Sequence, residues 1–188
     1  MPSRRASWSA WLPLVAVVLA VYFTLPWVRS WFEFASRAGL GRAIQGGLLL
    51  GALSGGGGIL AWLWLRRRVR AVRVYLSLAI AAGLLAAIAV LLSPMPIERI
   101  HLAEYLVIGM LSWRALRGHW TDRDRLLTAA LLVFNIGLGD ELLQGLLAGR
   151  FYDTRDVLVN AAAGGLGAWS AAVIVRAITM QTNPKSAA

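Results

Sequence analysis

The chain has 188 residues, 59% of them hydrophobic, with nine Trp and no Cys; that is too apolar for a soluble domain of this length and suits one integral membrane domain over 1–188. Its formal charge is +10, with 19 Lys+Arg against 9 Asp+Glu, and beside runs of membrane length this excess fits the positive-inside bias, so no nucleic-acid partner is expected. The lack of cysteine excludes a disulfide framework, a thiolate nucleophile and a Cys-type zinc site.

Arg4 and Arg5 precede an apolar run from Trp8 to Val28. It is long for a signal peptide, has no small-x-small cleavage site, and is followed by Trp27, Trp31 and Phe32 as an interfacial belt, so it reads as an uncleaved first helix. A connection at 29–42, with Arg29, Glu33, Arg37 and Arg42, leads to the second span, Ala43–Leu65. There Gly47, Gly51 and Gly55 form a stripe that lets another helix approach closely, and packing within the monomer is preferred over a dimer face. Gly55–Gly58 are expected to loosen this helix locally. Arg66-Arg67-Arg68-Val69-Arg70, with Arg73, is the strongest topology signal and belongs in the cytoplasm, where anionic lipid headgroups attract it.

The third span, Val74–Leu92, stops at Ser93-Pro94-Met95-Pro96, because proline neither continues a helix comfortably nor leaves the residue before it free. The fourth, Ile97–Leu116, opens on Glu98 and Arg99, expected as an interfacial ion pair, and carries His101 and Glu104 on one face. A basic loop at 114–125 follows, in which Asp122 and Asp124 balance neighbouring arginines and His119 is solvated. The fifth span, Leu126–Leu147, holds Asp140, Glu141 and Gln144 in its last third. At ~1.5 Å rise per residue Asp140 lies roughly 21 Å from Leu126, below the far rim of a ~30 Å hydrocarbon core. A tight loop at 148–155 leads to the sixth span, Asp156–Ile178, with Asn160 one turn in and Gly164, Gly165 and Gly167 beyond.

The expected fold is therefore an all-α, polytopic membrane helix bundle of about six transmembrane helices. With both termini cytoplasmic, thirteen Lys and Arg fall on the inner side and six on the outer, the sign the positive-inside rule requires. The start of helix 4, the end of helix 5 and the start of helix 6 then share the outer face. His101, Glu104, Asp140, Glu141, Gln144, Arg150, Asp153, Arg155, Asp156 and Asn160 can converge there, and ionisable groups so placed in an apolar chain raise a functional hypothesis. Asp140 shares a stripe with Gln144, and Asp156 with Asn160. Glu141 is turned about 100° from Asp140, so only one of the two is expected to face Gln144's pocket, and stripe geometry favours Asp140.

The order Glu104-Tyr105, Asp140-Glu141-x2-Gln144, Gly149-Arg150, and Asp156-x3-Asn160 before a Gly-rich helix resembles the VanZ-like family of small bacterial membrane proteins, over a core at 95–178. The combined order and spacing carry the resemblance, each piece alone being weak. The founder of that family is associated with resistance to the glycopeptide teicoplanin. The resemblance implies a multi-helix protein of the bacterial cytoplasmic (inner) membrane acting at the outer leaflet, and names no reaction.

Three kinds of chemistry stay open. As an enzyme, Glu104, Asp140 and Glu141 would divide acid and base roles in a partly desolvated pocket, with His101 as an alternative base. Arg150 and Arg155 would clamp a phosphate or carboxylate, and Gln144, Asp156 and Asn160 would complete the binding surface for a lipid-linked or other envelope substrate. Thr154 is the only Ser or Thr in a recognisable setting there, so water is the expected nucleophile. No cofactor is expected; a divalent metal on His101, Glu104, Asp140 and Asp156 is an option that no H-E-x-x-H spacing supports. As a binding module the same pocket would hold a headgroup or glycopeptide unchanged. As a structural device, Arg150 would pair with Glu141 or Asp156 while Gln144 and Asn160 bond between helices. Membrane lipids are the one partner class expected in every case.

Overall fold

The computed structural model describes residues 8–93, 96–118, 121–147 and 151–182, and no strand occurs among them. A 3-10 turn (Trp8–Ala10) leads into α1 (Leu12–Arg37), α2 (Gly41–Leu65), α3 (Val72–Leu91), α4 (Pro96–Ala115), α5 (Asp122–Leu146) and α6 (Thr154–Thr182). Five of the helices are long and apolar enough to cross a membrane, and the protein is an all-α, multi-pass membrane bundle. The sixth, α4, falls short because Glu98, Arg99, His101, Glu104 and Arg114 dilute its apolar residues. It compensates by position: α4 packs against α6, α5 and α1, and its Leu102, Tyr105, Ile108 and Trp113 are buried.

Two sequence expectations change in the first third of the chain. Residues 29–37 are not a connection; α1 runs through Pro26 to Arg37. Arg29 and Glu33 pair one helical turn apart at 2.9 Å, and Arg37 continues the ladder at 3.9 Å, which supports a polar extension of an apolar helix. The helix then ends in a Schellman motif. Gly39 takes φ +78°, while the N–H groups of Gly39 and Leu40 donate to the carbonyls of Ser36 and Ala35, as this cap requires. The second change concerns α2, which is continuous through Gly55–Gly58. A Cβ added at Gly46, Gly47, Gly51 or any of Gly55–Gly58 would meet nothing within 4 Å. The glycine stripe therefore does not pack inside the monomer. α2 touches the bundle through α1 and through buried Leu63 near its last turn, so its length stands clear of the other helices.

Glycines in the second half of the chain do the packing that α2's do not. A Cβ on Gly109 of α4 would overlap the Gly164 carbonyl of α6, one on Gly167 would overlap the Leu106 carbonyl, and one on Gly164 would overlap the Val133 side chain of α5. Backbones of α4 and α6 are thus in contact, with dispersion as the main reward inside a membrane. Beside this seam Leu14, Val21, Tyr105, Ile108, Val133 and Val159 form the principal core.

The seam fixes which ends meet. Arg176 near the end of α6 bonds Asp122 at the start of α5 at 2.6 Å, and Gln181 donates to the Arg68 carbonyl between α2 and α3 at 2.9 Å. At the opposite end, Arg155 at the start of α6 pairs with Glu98 at the start of α4 at 3.0 Å. The start of α4, the end of α5 and the start of α6 therefore share one end of the bundle, as the span order implied.

Candidate functional site

The site is built on the last turns of α5. Gln144 Nε2 lies 3.4 Å from Asp140 Oδ1 and 3.1 Å from Glu141 Oε1. Both carboxylates consequently face Gln144, and the expectation that only one of them would is corrected. Gln144 is four residues from Asp140 and three from Glu141, so it sits one turn on and between them, and its long side chain reaches either flank. All three residues are buried, Asp140 with no exposure at all. A buried carboxylate is tolerated only with strong partners.

Those partners come from other segments. The Tyr105 hydroxyl of α4 donates to Asp140 Oδ2 at 3.0 Å. The backbone N–H of Asp153, just before α6, donates to Glu141 Oε2 at 3.1 Å. With Gln144 on the two remaining oxygens, each of the four carboxylate oxygens accepts a protein hydrogen bond. Asp153 also caps α6: its Oδ1 accepts from the Arg155 N–H at 2.8 Å, and its carbonyl accepts from the N–H groups of Asp156 and Val157. One short segment thus starts α6 and closes over Glu141.

Toward the rim the polar groups open. His101 Nδ1 lies 3.0 Å from Glu104 Oε2, with side chains 15% and 27% exposed, an ion pair whenever the imidazole is protonated. Both lie within electrostatic reach of Asp140, and His101 and Asp156 within that of Glu141. Farther out, Arg155 contacts Glu98 at 3.0 Å, Asp156 at 3.3 Å and Asp153 at 3.7 Å. Glu98 therefore pairs across to α6, and Arg99 donates instead to the Ser93 carbonyl at 3.2 Å, so the expected Glu98–Arg99 pair is replaced by one from each to a more favourably placed neighbour.

Asn160 is buried one turn below Asp156, beside Gly137, where an added Cβ would lie 3.4 Å from the Asn160 Cβ and 3.5 Å from Tyr105 Cε1. Thr154 is the exposed first residue of α6. Gly149, Arg150 and His119 lie outside the described residues. Among the described residues no group of three or more His, Asp or Glu is arranged to hold a metal ion.

Two tyrosines complete the picture. Tyr105 was visible in the sequence only as part of a motif, yet it is the direct partner of Asp140. Tyr22 of α1 belongs to no motif in the sequence. Its hydroxyl donates to the Ile136 carbonyl at 2.6 Å and lies against Gly139, where a Cβ would come within 2.6 Å of it. The signal for it was the buried stripe Leu14–Val21–Leu25 on α1, which Tyr22 borders with a hydroxyl that needs a partner in an apolar setting.

Fold and site together define a class: a multi-pass α-helical membrane protein with a buried carboxylate network at one end of a glycine-packed helix trio. Comparison with protein-family models gave no match, and comparison with curated proteins and with solved structures gave no significant match.

Proposed function

We propose that the protein recognises the polar headgroup of a lipid-linked cell-envelope substrate at the outer leaflet of the bacterial cytoplasmic membrane and acts on it by proton transfer. The observation that carries this reading is the graded exposure of one carboxylate cluster, from enclosed Asp140 and Glu141, through the half-open His101–Glu104 pair, to open Asp153 and Arg155. His101 and Glu104 are the groups at the boundary, able to reach both an incoming headgroup and the buried pair, so they are the acid–base residues. Asp140, Glu141 and Gln144 hold the three helices that present them.

Arg155 already faces three carboxylates, which weakens it as an anion clamp. Glu98, Glu104, Asp153 and Asp156 outnumber Arg99 and Arg155 among the described residues of the rim. The rim therefore favours a headgroup that offers amine or hydroxyl donors. An open apolar groove of about 480 Å³ between α3 and α6, lined by Leu84, Ile88, Leu91, Ala162, Gly165 and Leu166, supports the lipid part of the reading. Its α6 lining begins six residues past Asp156, roughly 9 Å along the helix, a depth suited to an acyl or prenyl chain.

The resemblance to the VanZ-like family adds resistance to teicoplanin as the phenotype to test. The test is the teicoplanin inhibitory concentration in a susceptible bacterium carrying the wild type, His101→Asn, Glu104→Gln, Asp140→Asn, Glu141→Gln or Arg150→Ala, with membrane levels checked by blot. The expected result is raised resistance with the wild type and its loss in Glu104→Gln at unchanged protein level. A wild type that confers nothing removes the glycopeptide role.

One observation favours a second reading, a non-enzymatic scaffold. All four oxygens of Asp140 and Glu141 are occupied within the protein, as they would be if the network served packing alone. Under that reading Glu104→Gln keeps full function, and Asp140→Asn acts only by lowering the amount of protein.

A further inference from the structure

At the other end of the bundle, the loop between α2 and α3 carries five arginines within 66–73 and no acid. Its backbone is firmly held. Val69 is buried, its N–H donates to the Leu63 carbonyl, and its own carbonyl accepts from the Tyr75 hydroxyl at 2.8 Å. Gln181 of α6 fixes the Arg68 carbonyl at 2.9 Å. Arg68 adopts φ +52°, a left-handed turn that a β-carbon makes unfavourable and that a fixed loop must maintain.

Two of the arginines are also held by their side chains. The Arg67 guanidinium lies 4.8 Å from the Trp62 ring centre, and that of Arg70 lies 3.7 Å from Trp64. Trp64 is itself braced edge-on by Tyr75 at 5.9 Å. A guanidinium stacked on an indole keeps its N–H edge free for a planar or tetrahedral oxyanion. Elsewhere Arg29, Arg37, Arg155 and Arg176 each face a carboxylate, whereas among the described residues none of the arginines at 66–73 has one. Below the loop, exposed Leu65, Val72 and Leu76 continue as apolar helix surface, so the cations sit where headgroups meet chains.

We propose that this loop is a built site for the phosphate of an anionic phospholipid, with Arg67 and Arg70 as the binding residues and Trp62 and Trp64 as their supports. It is separate from the carboxylate site, and neither proposal depends on the other. Stacking distinguishes it from a merely positive surface: two guanidinium forks are pre-positioned, so less freedom is lost on binding.

The experiment uses the full chain purified in detergent and native mass spectrometry with added phosphatidylglycerol or phosphatidylcholine. The wild type is expected to retain phosphatidylglycerol and not phosphatidylcholine. Arg67→Ala with Arg70→Ala should weaken that retention by at least about tenfold, since each basic side chain near a headgroup contributes substantially. Arg117→Ala with Arg123→Ala, which removes the same charge from the basic stretch between α4 and the first turn of α5, should leave it unchanged. Arg67→Lys with Arg70→Lys keeps the charge without the fork and should also weaken it. Helix content by circular dichroism separates loss of the site from loss of the fold. Equal retention of both lipids, equal loss in the Arg117/Arg123 variant, or full retention by the lysine variant would overturn the proposal, as would displacement by equimolar inorganic phosphate.

Discussion

The two ends of the bundle carry charge in opposite ways. At the α4–α5–α6 end, the carboxylates of Asp140 and Glu141 are withdrawn into the protein and every oxygen accepts a hydrogen bond, two from the neighbouring segments through Tyr105 and the Asp153 backbone and two from Gln144 of the same helix. At the α2–α3 end, arginines stay outside, resting on tryptophans without a carboxylate partner among the described residues. Carboxylates are short and acceptor-only, so a donor from each neighbour can enclose them. Arginine is long, with an apolar stem that lies on a ring while the head stays wet. A buried charge ties helices together and a rim charge meets the surroundings, so mutations at the two ends should fail differently.

The largest effect is expected at the seam that joins the ends. Gly109→Leu or Gly164→Leu forces a side chain into backbone or into Val133 and should cost more than ~3 kcal/mol, seen as loss of protein from the membrane. Gly51→Leu on open α2 should leave the level unchanged, and an equal loss there would show that α2 has a partner in the membrane. Next is Gln144→Leu, which takes the donor from two buried carboxylates at once. The apparent Tm in detergent should fall by the equivalent of ~2 kcal/mol, whereas Arg70→Ala at the other end should not shift it. Tyr105→Phe removes one interhelical bond and should cost ~1 kcal/mol by the same measurement. Arg176→Ala opens the half-exposed pair with Asp122 and should cost less than ~1 kcal/mol. A larger fall than for Tyr105→Phe would contradict the contrast between buried and rim charge.

Much of this was legible in the sequence because the apolar runs and their order dictate which helix ends meet. His101 with Glu104, Asp156 with Asn160 and the three-helix convergence followed from spacing alone. Angular reasoning failed at Glu141, because a stripe describes where Cβ atoms point and not how far Gln144 can reach. It failed again at the glycines: Gly47-x3-Gly51-x3-Gly55 and the group Gly164, Gly165 and Gly167 look alike as strings, yet only the latter group meets a neighbour, through Gly164 and Gly167. Which stripe finds a partner depends on helix placement, and that is a property of the whole bundle. Tyr22 was missed because its partner, the Ile136 carbonyl, leaves no mark in a sequence.

The central claim is that the carboxylate end faces outward and is the working end. The chain contains no cysteine, so single cysteines report without background. Asp153→Cys and Arg155→Cys at one end, and Asp122→Cys and Gln181→Cys at the other, would be treated in intact cells with a membrane-impermeant maleimide, then again after permeabilisation. The account predicts labelling of positions 153 and 155 in intact cells, and of positions 122 and 181 only after permeabilisation. The reverse pattern would place the carboxylate network on the cytoplasmic side and contradict the proposed outer-leaflet role.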